Sequence, residues 1–538
     1  MVTKFHIDKS ISWWVITPPK RKHAETSRFS KDFRDFIEHT SLPCYSKMVD
    51  PSYGFLEKVI WFGVHVLAIF LLIVFLSDAW TEFVSQYFAT TLYDPLYPIE
   101  KVPFPAVSIC SNNRISRQAA ENYAIELSQI DPDRRNKTYF MEHIAFLGLL
   151  YNKDFTMTEL PDVYEFQQFL DIYDTGDDEK YFNTLKKIAR LTPPCGELLI
   201  KCFLGGKAVK CFSNRTFQTT LTSYGYCCTF NYNDIYHTRK QKHRFSHAEL
   251  GLTVVLNTSS KDMHYPLLRF DGTLVIVHSA HKYPDISSGG SSENFITNGK
   301  DNFLAITPYV VDSVEAVRQF NPKTRNCYFH DESPDGYLLG RLQYSFNNCV
   351  TRCRIQSILV LCNCLPFSMP SGLTPNGTRT VYCTLRHLDC LRRYSFKWKS
   401  ILTHKIFIPG LEREAEDALY CPHCLPSCDD IQYSGALSIE PIDSYIISLF
   451  LFPFYRSQDE NDITVLRVYF AEQYIKFYRK IVTNSWFEAF STIGNYCGII
   501  IGFSLIIFCE VVYFIGQQIM LVMRRGLRKE RRNLIIYP

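Results

Sequence analysis

The stretch that decides the fold runs from Phe487 to Met523 and reads FEAFSTIGNYCGIIIGFSLIIFCEVVYFIGQQIMLVM. Only two of its residues are charged, Glu488 and Glu510. At ~1.5 Å rise per residue it would be ~55 Å long as one helix, more than a ~30 Å hydrocarbon core needs. A strongly tilted or interrupted membrane helix is expected, and its length disfavours the alternative, a buried helix of a soluble protein. Gly494, Gly498 and Gly502 recur every four residues and so share one helix face. Close packing between helices accounts for part of this pattern. Packing does not account for Ser491, Thr492, Asn495 and Ser504, which put polar atoms into a span that needs none. Glu510 is an ionisable group in a membrane segment, costly there and functional by default. Glycine interrupts a helix easily, and freed carbonyls can line a water-filled path. Carbonyls and hydroxyls replace the water around a passing cation, and a carboxylate below them favours positive charge. The residue chemistry points to a cation path.

Working outward, a second apolar run covers Val59 to Leu76, interrupted only by His65. It is near the ~20 residues that span a bilayer. It lies too far into the chain, behind a mixed-charge segment, to read as a signal peptide. Arg524, Arg525, Arg528, Lys529, Arg531 and Arg532 follow the long span. Lys58 and the run Lys20-Arg21-Lys22 precede the first. Asp78, Glu82 and Asp94 come after the first span before any Lys or Arg, so both termini are expected to be cytoplasmic. The expected division is a cytoplasmic segment 1–57, a first span 58–83, an extracellular domain 84–484, a second span with the pore 485–516, and a basic tail 517–538.

Sixteen of the 19 cysteines lie between the spans, all but Cys44, Cys497 and Cys509. An even number in an oxidising compartment implies a disulfide framework. The zinc alternative rests on Cys421-Pro-His-Cys424, which has the spacing of a zinc knuckle. The compartment weighs against it, and no metal or other cofactor is expected. Four glycosylation sequons, at Asn136, Asn214, Asn257 and Asn376, fall in the same loop. Strands are expected at Phe104–Cys110, Leu252–Leu256, Leu274–His278 and Ile463–Phe470, and helices at Ser116–Ser128 and Tyr181–Leu191. The run Ser287-Ser-Gly-Gly-Ser-Ser292 reads as a flexible loop. The 15% of aromatic residues suits a β-rich body rather than a disordered chain. A net charge of +4 without a concentrated basic face excludes a nucleic-acid partner. No metalloprotease, hydrolase or phosphate-loop motif occurs, so an enzyme is not expected. Isolated histidines such as His278 and His281 read as structural or surface groups.

The motifs resemble those of the degenerin/epithelial sodium channel family, most of all its insect pickpocket branch. They are Phe104-Pro-Ala-Val-Ser-Ile-Cys110-Ser-Asn-Asn113, Gly225-Tyr-Cys-Cys-Thr-Phe-Asn231, Arg325-Asn-Cys327, the cysteine ladder from Tyr344 to Cys428, and Gly494 to Ser504 followed by Glu510. The resemblance implies an α+β membrane protein with two transmembrane helices and a hand-like, disulfide-rich ectodomain. It implies a trimer, homomeric or built with related subunits, in the plasma membrane. The implied activity is voltage-independent, sodium-preferring and amiloride-sensitive conduction gated through the ectodomain, in sensory or epithelial ion transport. Gly502, Phe503 and Ser504 would form the selectivity constriction, with Gly494, Asn495, Gly498 and Glu510 also along the pore. Ser491 falls where enlargement locks such channels open, beside Thr492. The implied bridges are Cys110–Cys227, Cys202–Cys211, Cys327–Cys428, Cys349–Cys424, Cys353–Cys421, Cys362–Cys390 and Cys364–Cys383. Cys195 and Cys228 are left over, their pairing with each other open.

The chain departs from that pattern in four places. Pro43-Cys44 stands where a His-Gly pair should follow Thr40-Ser41-Leu42, and Thr492 replaces an acid. Asn495 replaces the second glycine of a pair, and Cys421-x2-Cys424 has one residue more than usual. Two other body plans compete: an ATP-gated channel using bases such as Arg239, Lys240 and Lys242, and a two-span scavenger or adhesion receptor without a pore.

Overall fold

A computed structural model describes residues 36–37, 40–41, 46–50, 52–85, 87–151, 160–175, 182–213, 216–232, 250–269, 272–332, 334, 343–374, 381–404, 409–442, 462–483 and 486–534. Pro43, Cys44, Asn214, Asn376, Arg239, Lys240 and Lys242 lie outside that set. The chain forms two compact units, Phe88–Val482 and the two terminal segments together.

The larger unit is built on an eight-stranded sheet. Its organising strand, Lys300–Ser313, pairs antiparallel with Asp430–Pro441 and parallel with Ile463–Phe470 and Tyr474–Val482. Inward residues Leu304, Ile306, Leu466, Val468 and Phe470 are almost fully buried with Phe104 and Val254. At ~25 cal/mol per Å² of apolar area, each such side chain contributes about 1.5–3 kcal/mol. The strand Phe88–Pro98 pairs with Tyr474–Val482 at one edge, placing Phe88 opposite Val482. The two chain segments that lead to the membrane helices therefore leave this unit side by side.

A second, five-stranded antiparallel sheet contains Ala106–Cys110, Gly225–Phe230 and Gly272–His278. All five residues of Ala106–Cys110 are buried, because the strand lies between two others and is covered on both faces. Its one polar interior group is met by a chain of hydrogen bonds. Ser108 Oγ lies 2.7 Å from Thr229 Oγ1 and 3.0 Å from His278 Nε2. His278 Nδ1 lies 3.0 Å from the Ser279 carbonyl, so this nitrogen donates and Nε2 accepts. His278 is thus structural, whereas His281 is exposed. Burial pushes the His278 imidazole down from its ordinary 6.5 to about 4. The folded state therefore binds this proton more weakly than the unfolded chain. Stability is unaffected above about pH 6.5 and falls as pH is lowered toward 4, by roughly 3 kcal/mol in all. Thermal unfolding from pH 7 to pH 4 is expected to show a shallower acid loss in His278→Gln than in the parent chain. Parallel pH profiles would rule this out.

Among the described residues eight disulfides form, all seven implied pairs and Cys195–Cys228 as the eighth. Cys421 and Cys424 bond Cys353 and Cys349, so neither is left as a thiolate for zinc. The extra residue between Cys421 and Cys424 has a geometric use. Cys349 and Cys353 are one turn apart on the helix Phe346–Cys362, ~6 Å along its axis. Opposite them, Cys424 N–H bonds the Cys421 carbonyl at 3.1 Å, a turn that spaces its two sulfurs to match. Asn136 is exposed just before the helix Lys137–Ile144, and Asn257 is half-buried at the end of its strand.

The expectation of a flexible loop at Ser287–Ser292 is corrected. Ile286–Ser288 is a helical turn and Ser291 already begins a strand. The reason is Asp285, outside the serine-glycine run, which accepts from Ser287 N–H at 3.2 Å and from Thr351 Oγ1 at 3.3 Å.

Candidate functional site

In the smaller unit the first long helix is Phe55–Ser85, apolar and exposed along most of its length. His65 lies inside it, with Nδ1 2.7 Å from the Trp61 carbonyl one turn back. The long apolar stretch is interrupted, as its length requires: helix Trp486–Ile501, then Gly502 to Ser504, then helix Leu505–Leu534. The two half-helices, called outer for the one that follows the larger unit in the chain and inner for the one after the break, differ in what ends and starts them.

Gly502 has φ +68°, a left-handed backbone that glycine adopts without penalty and that terminates helices. Its N–H still bonds the Gly498 carbonyl at 3.1 Å, and Phe503 N–H reaches back to Cys497 at 3.1 Å. Ser504 restarts the helix as its N-cap. Its carbonyl accepts from Phe508 N–H at 3.1 Å, and its Oγ accepts from Ile507 N–H at 3.4 Å. The three residues assigned by resemblance to the constriction are thus the three residues of the break. The break also carries a field. The outer half-helix ends here with the negative end of its dipole facing the gap, and the inner half-helix starts here with its positive end facing it.

Above the break, Ser491, Gly494, Asn495 and Gly498 fall on one face at helical spacing, all exposed. Tyr496 lies roughly on the opposite side, at ~100° per residue. It stacks on Phe75 of the first helix, ring centroids 5.7 Å apart. Packing within the chain thus uses one side of the half-helix and leaves the small, polar side free of it. A Cβ added at Gly494 would meet nothing within 4 Å, and one at Gly498 only the Phe503 carbonyl at 4.0 Å. These glycines are not required by this chain's own packing. Thr492 is half-buried, at the edge of that face.

Below the break, Glu510 has partners that the sequence did not reveal. Ser41 Oγ donates to one carboxylate oxygen at 2.5 Å, and Ser41 N–H donates to the other at 3.2 Å. Thr40 Oγ1 adds a longer contact at 3.5 Å. One turn along, Phe514 stacks on Phe36 at 4.6 Å. Phe36 and Ser41 therefore meet the inner half-helix in reverse chain order. Charge-assisted hydrogen bonds of this kind contribute ~1.5–3 kcal/mol. Cysteines placed at 41 and 510, in a chain with Cys44, Cys497 and Cys509 changed to serine, are expected to be joined by a short bifunctional thiol reagent, which replaces the reach of the Glu510 side chain. Two free thiols on intact channels would refute the contact. The only sequence signal was Thr40-Ser41 itself, a pair of hydroxyls before a motif that is otherwise missing.

The family model described as amiloride-sensitive sodium channel matches residues 36–514. The chain belongs to that family. Among curated relatives, Pickpocket protein 28 of Drosophila melanogaster is 22% identical over 93% of this chain and 80% of its own length. Sodium channel protein Nach of the same species is 21% identical over 90% and 86%. Bile acid-sensitive ion channel of Mus musculus is 22% identical over 85% and 82%. As a family member the chain is a sodium channel subunit of the plasma membrane and not an enzyme. Membership also decides against the ATP-gated channel and the pore-less receptor. Among the described residues two helices, Phe55–Val84 and Leu505–Arg524, are long and apolar enough to span a membrane.

Proposed function

We propose that the chain is one of three subunits, identical or related, around a voltage-independent, sodium-preferring and amiloride-sensitive pore, with both termini in the cytoplasm. The observation that carries this reading is the helix break at Gly502-Phe503-Ser504. A left-handed glycine and a serine N-cap put backbone carbonyls and a hydroxyl at the middle of a membrane segment. Three copies would surround a cation with oxygen atoms. Ser491, Gly494, Asn495 and Gly498 line the outer pore, and Glu510 favours cations at the inner end. The ectodomain is the sensor. Its ladder is stiff, since each bridge removes unfolded-state freedom worth ~2–4 kcal/mol. The strands Phe88–Pro98 and Tyr474–Val482 run directly into the two spans, giving a sensing surface a covalent path to the gate.

The test is voltage clamp of cells expressing the chain alone, beside Ser491→Phe. A bulky ring on the small-residue face cannot be accommodated in a closed trimer, so Ser491→Phe is expected to carry a constant sodium current blocked by amiloride. Its absence from a chain shown to be at the cell surface would refute the assignment of Ser491. Current from the unmodified chain alone would argue that related subunits are not required.

A further inference from the structure

Three arginines are buried among the described residues: Arg114, Arg325 and Arg354. Two have their charge met. Arg325 pairs with Glu332 and donates to the carbonyls of Arg318, Phe320 and Cys327. Arg354 pairs with Asp285 and donates to the Trp398 carbonyl at 3.0 Å, with one nitrogen left over. Arg114 is different. It sits on the strand Asn113–Ser116 and is 1% exposed. Its one hydrogen bond is to the Tyr226 carbonyl, at 3.5 Å, and its Nε and Nη2 have no partner. Its electrostatic neighbours are phenols, Tyr151 and Tyr224. The Tyr151 ring lies 5.7 Å away and its hydroxyl is 3.2 Å from Thr192 Oγ1. The Tyr224 hydroxyl donates to Glu293. Burial raises both phenols, so neither supplies a negative charge.

The guanidinium is pushed down to about 10, still protonated at physiological pH. A trapped water would answer the unbonded nitrogens but not the charge. A buried cation needs an anion. Its surroundings limit its size: Arg114 is buried and its unbonded Nε and Nη2 are shut off from solvent, so an occupant must be small. We infer that Arg114 is the core of a binding site for a small anion of halide size, held by its Nε and Nη2. Chloride, abundant outside cells, is the natural occupant. This site is independent of the pore reading.

The test uses the purified full-length protein in lipid nanodiscs. Its thermal unfolding is followed in sodium chloride, sodium bromide and sodium gluconate at equal ionic strength. The halides are expected to raise Tm by about 2–4 °C over gluconate, and Arg114→Met to abolish the difference. Equal Tm values in the parent protein, or the same difference in Arg114→Met, would overturn the site. Should Arg114→Met not fold, crystals of the parent protein grown in bromide decide the matter. An anomalous peak within hydrogen-bond reach of Arg114 supports the site, and its absence overturns it.

Discussion

Gly502→Ala is expected to lower the ratio of sodium to potassium permeability by at least ~10-fold while leaving the protein at the cell surface. Gly502 is held at φ +68°. Alanine there costs roughly 1–2 kcal/mol, and the same residue in a right-handed helix costs nothing. The cheapest response is to continue the outer half-helix through the break. Ser504 then ceases to be an N-cap, and Phe503 N–H loses its long reach to Cys497. An ordinary helix has its carbonyls bonded to amides four residues on, so none is left for an ion. A tenfold loss corresponds to about 1.4 kcal/mol, the size of the strain itself. Reversal potentials under bi-ionic conditions measure the ratio directly. An unchanged ratio with normal current would show that the break does not select. Gly494→Ala is the useful contrast. It has room within its own chain, so any loss there would report contact with a neighbouring subunit.

The break was legible in the sequence because its residues have local meanings. Glycine ends a helix, serine begins one, and a segment of this length cannot cross a bilayer as a straight rod. The cysteines were legible for the same reason, since sixteen of them in one oxidising loop have little else to do. The sheet was not. Lys300–Ser313 pairs with strands from Asp430 onward, and nothing in a strand's own residues names a partner more than a hundred positions away. The contact between Ser41 and Glu510, 469 positions apart, was hidden likewise. A serine before a helix carries the same letters whether it caps that helix or reaches another. The serine-glycine run at Ser287–Ser292 misled for a different reason. Its composition favours flexibility, and composition cannot register a single buried acid two residues before it.

That acid supports the largest stability prediction. Asp285→Ala is expected to destabilise the larger unit by ~3–5 kcal/mol, more than loss of a typical ladder bridge. The side chains of Asp285 and Arg354 are 2% and 3% exposed, so removing the carboxylate leaves a guanidinium buried without its charge partner. The same change frees Ser287, Ser288 and Thr351, which all donate to Asp285. It also loosens a loop that Asn348 holds through Tyr283 N–H at 3.0 Å and that Asn347 holds at the Ser288 carbonyl at 3.1 Å. Both asparagines belong to the ladder helix Phe346–Cys362, so the damage reaches the framework itself. A domain stable by some 5–15 kcal/mol does not absorb this easily, and little protein should reach the cell surface. Arg354→Met is expected to cost less. The carboxylate it strands keeps its four hydroxyl and amide donors, from Ser287, Ser288 and Thr351, whereas the guanidinium stranded by Asp285→Ala keeps only the Trp398 carbonyl. The paired change Asp285→Leu with Arg354→Met removes both charges and should recover much of the loss. Surface biotinylation and thermal unfolding of the three variants test the order. If Asp285→Ala unfolds no earlier than Arg354→Met, the pair is not held together by charge.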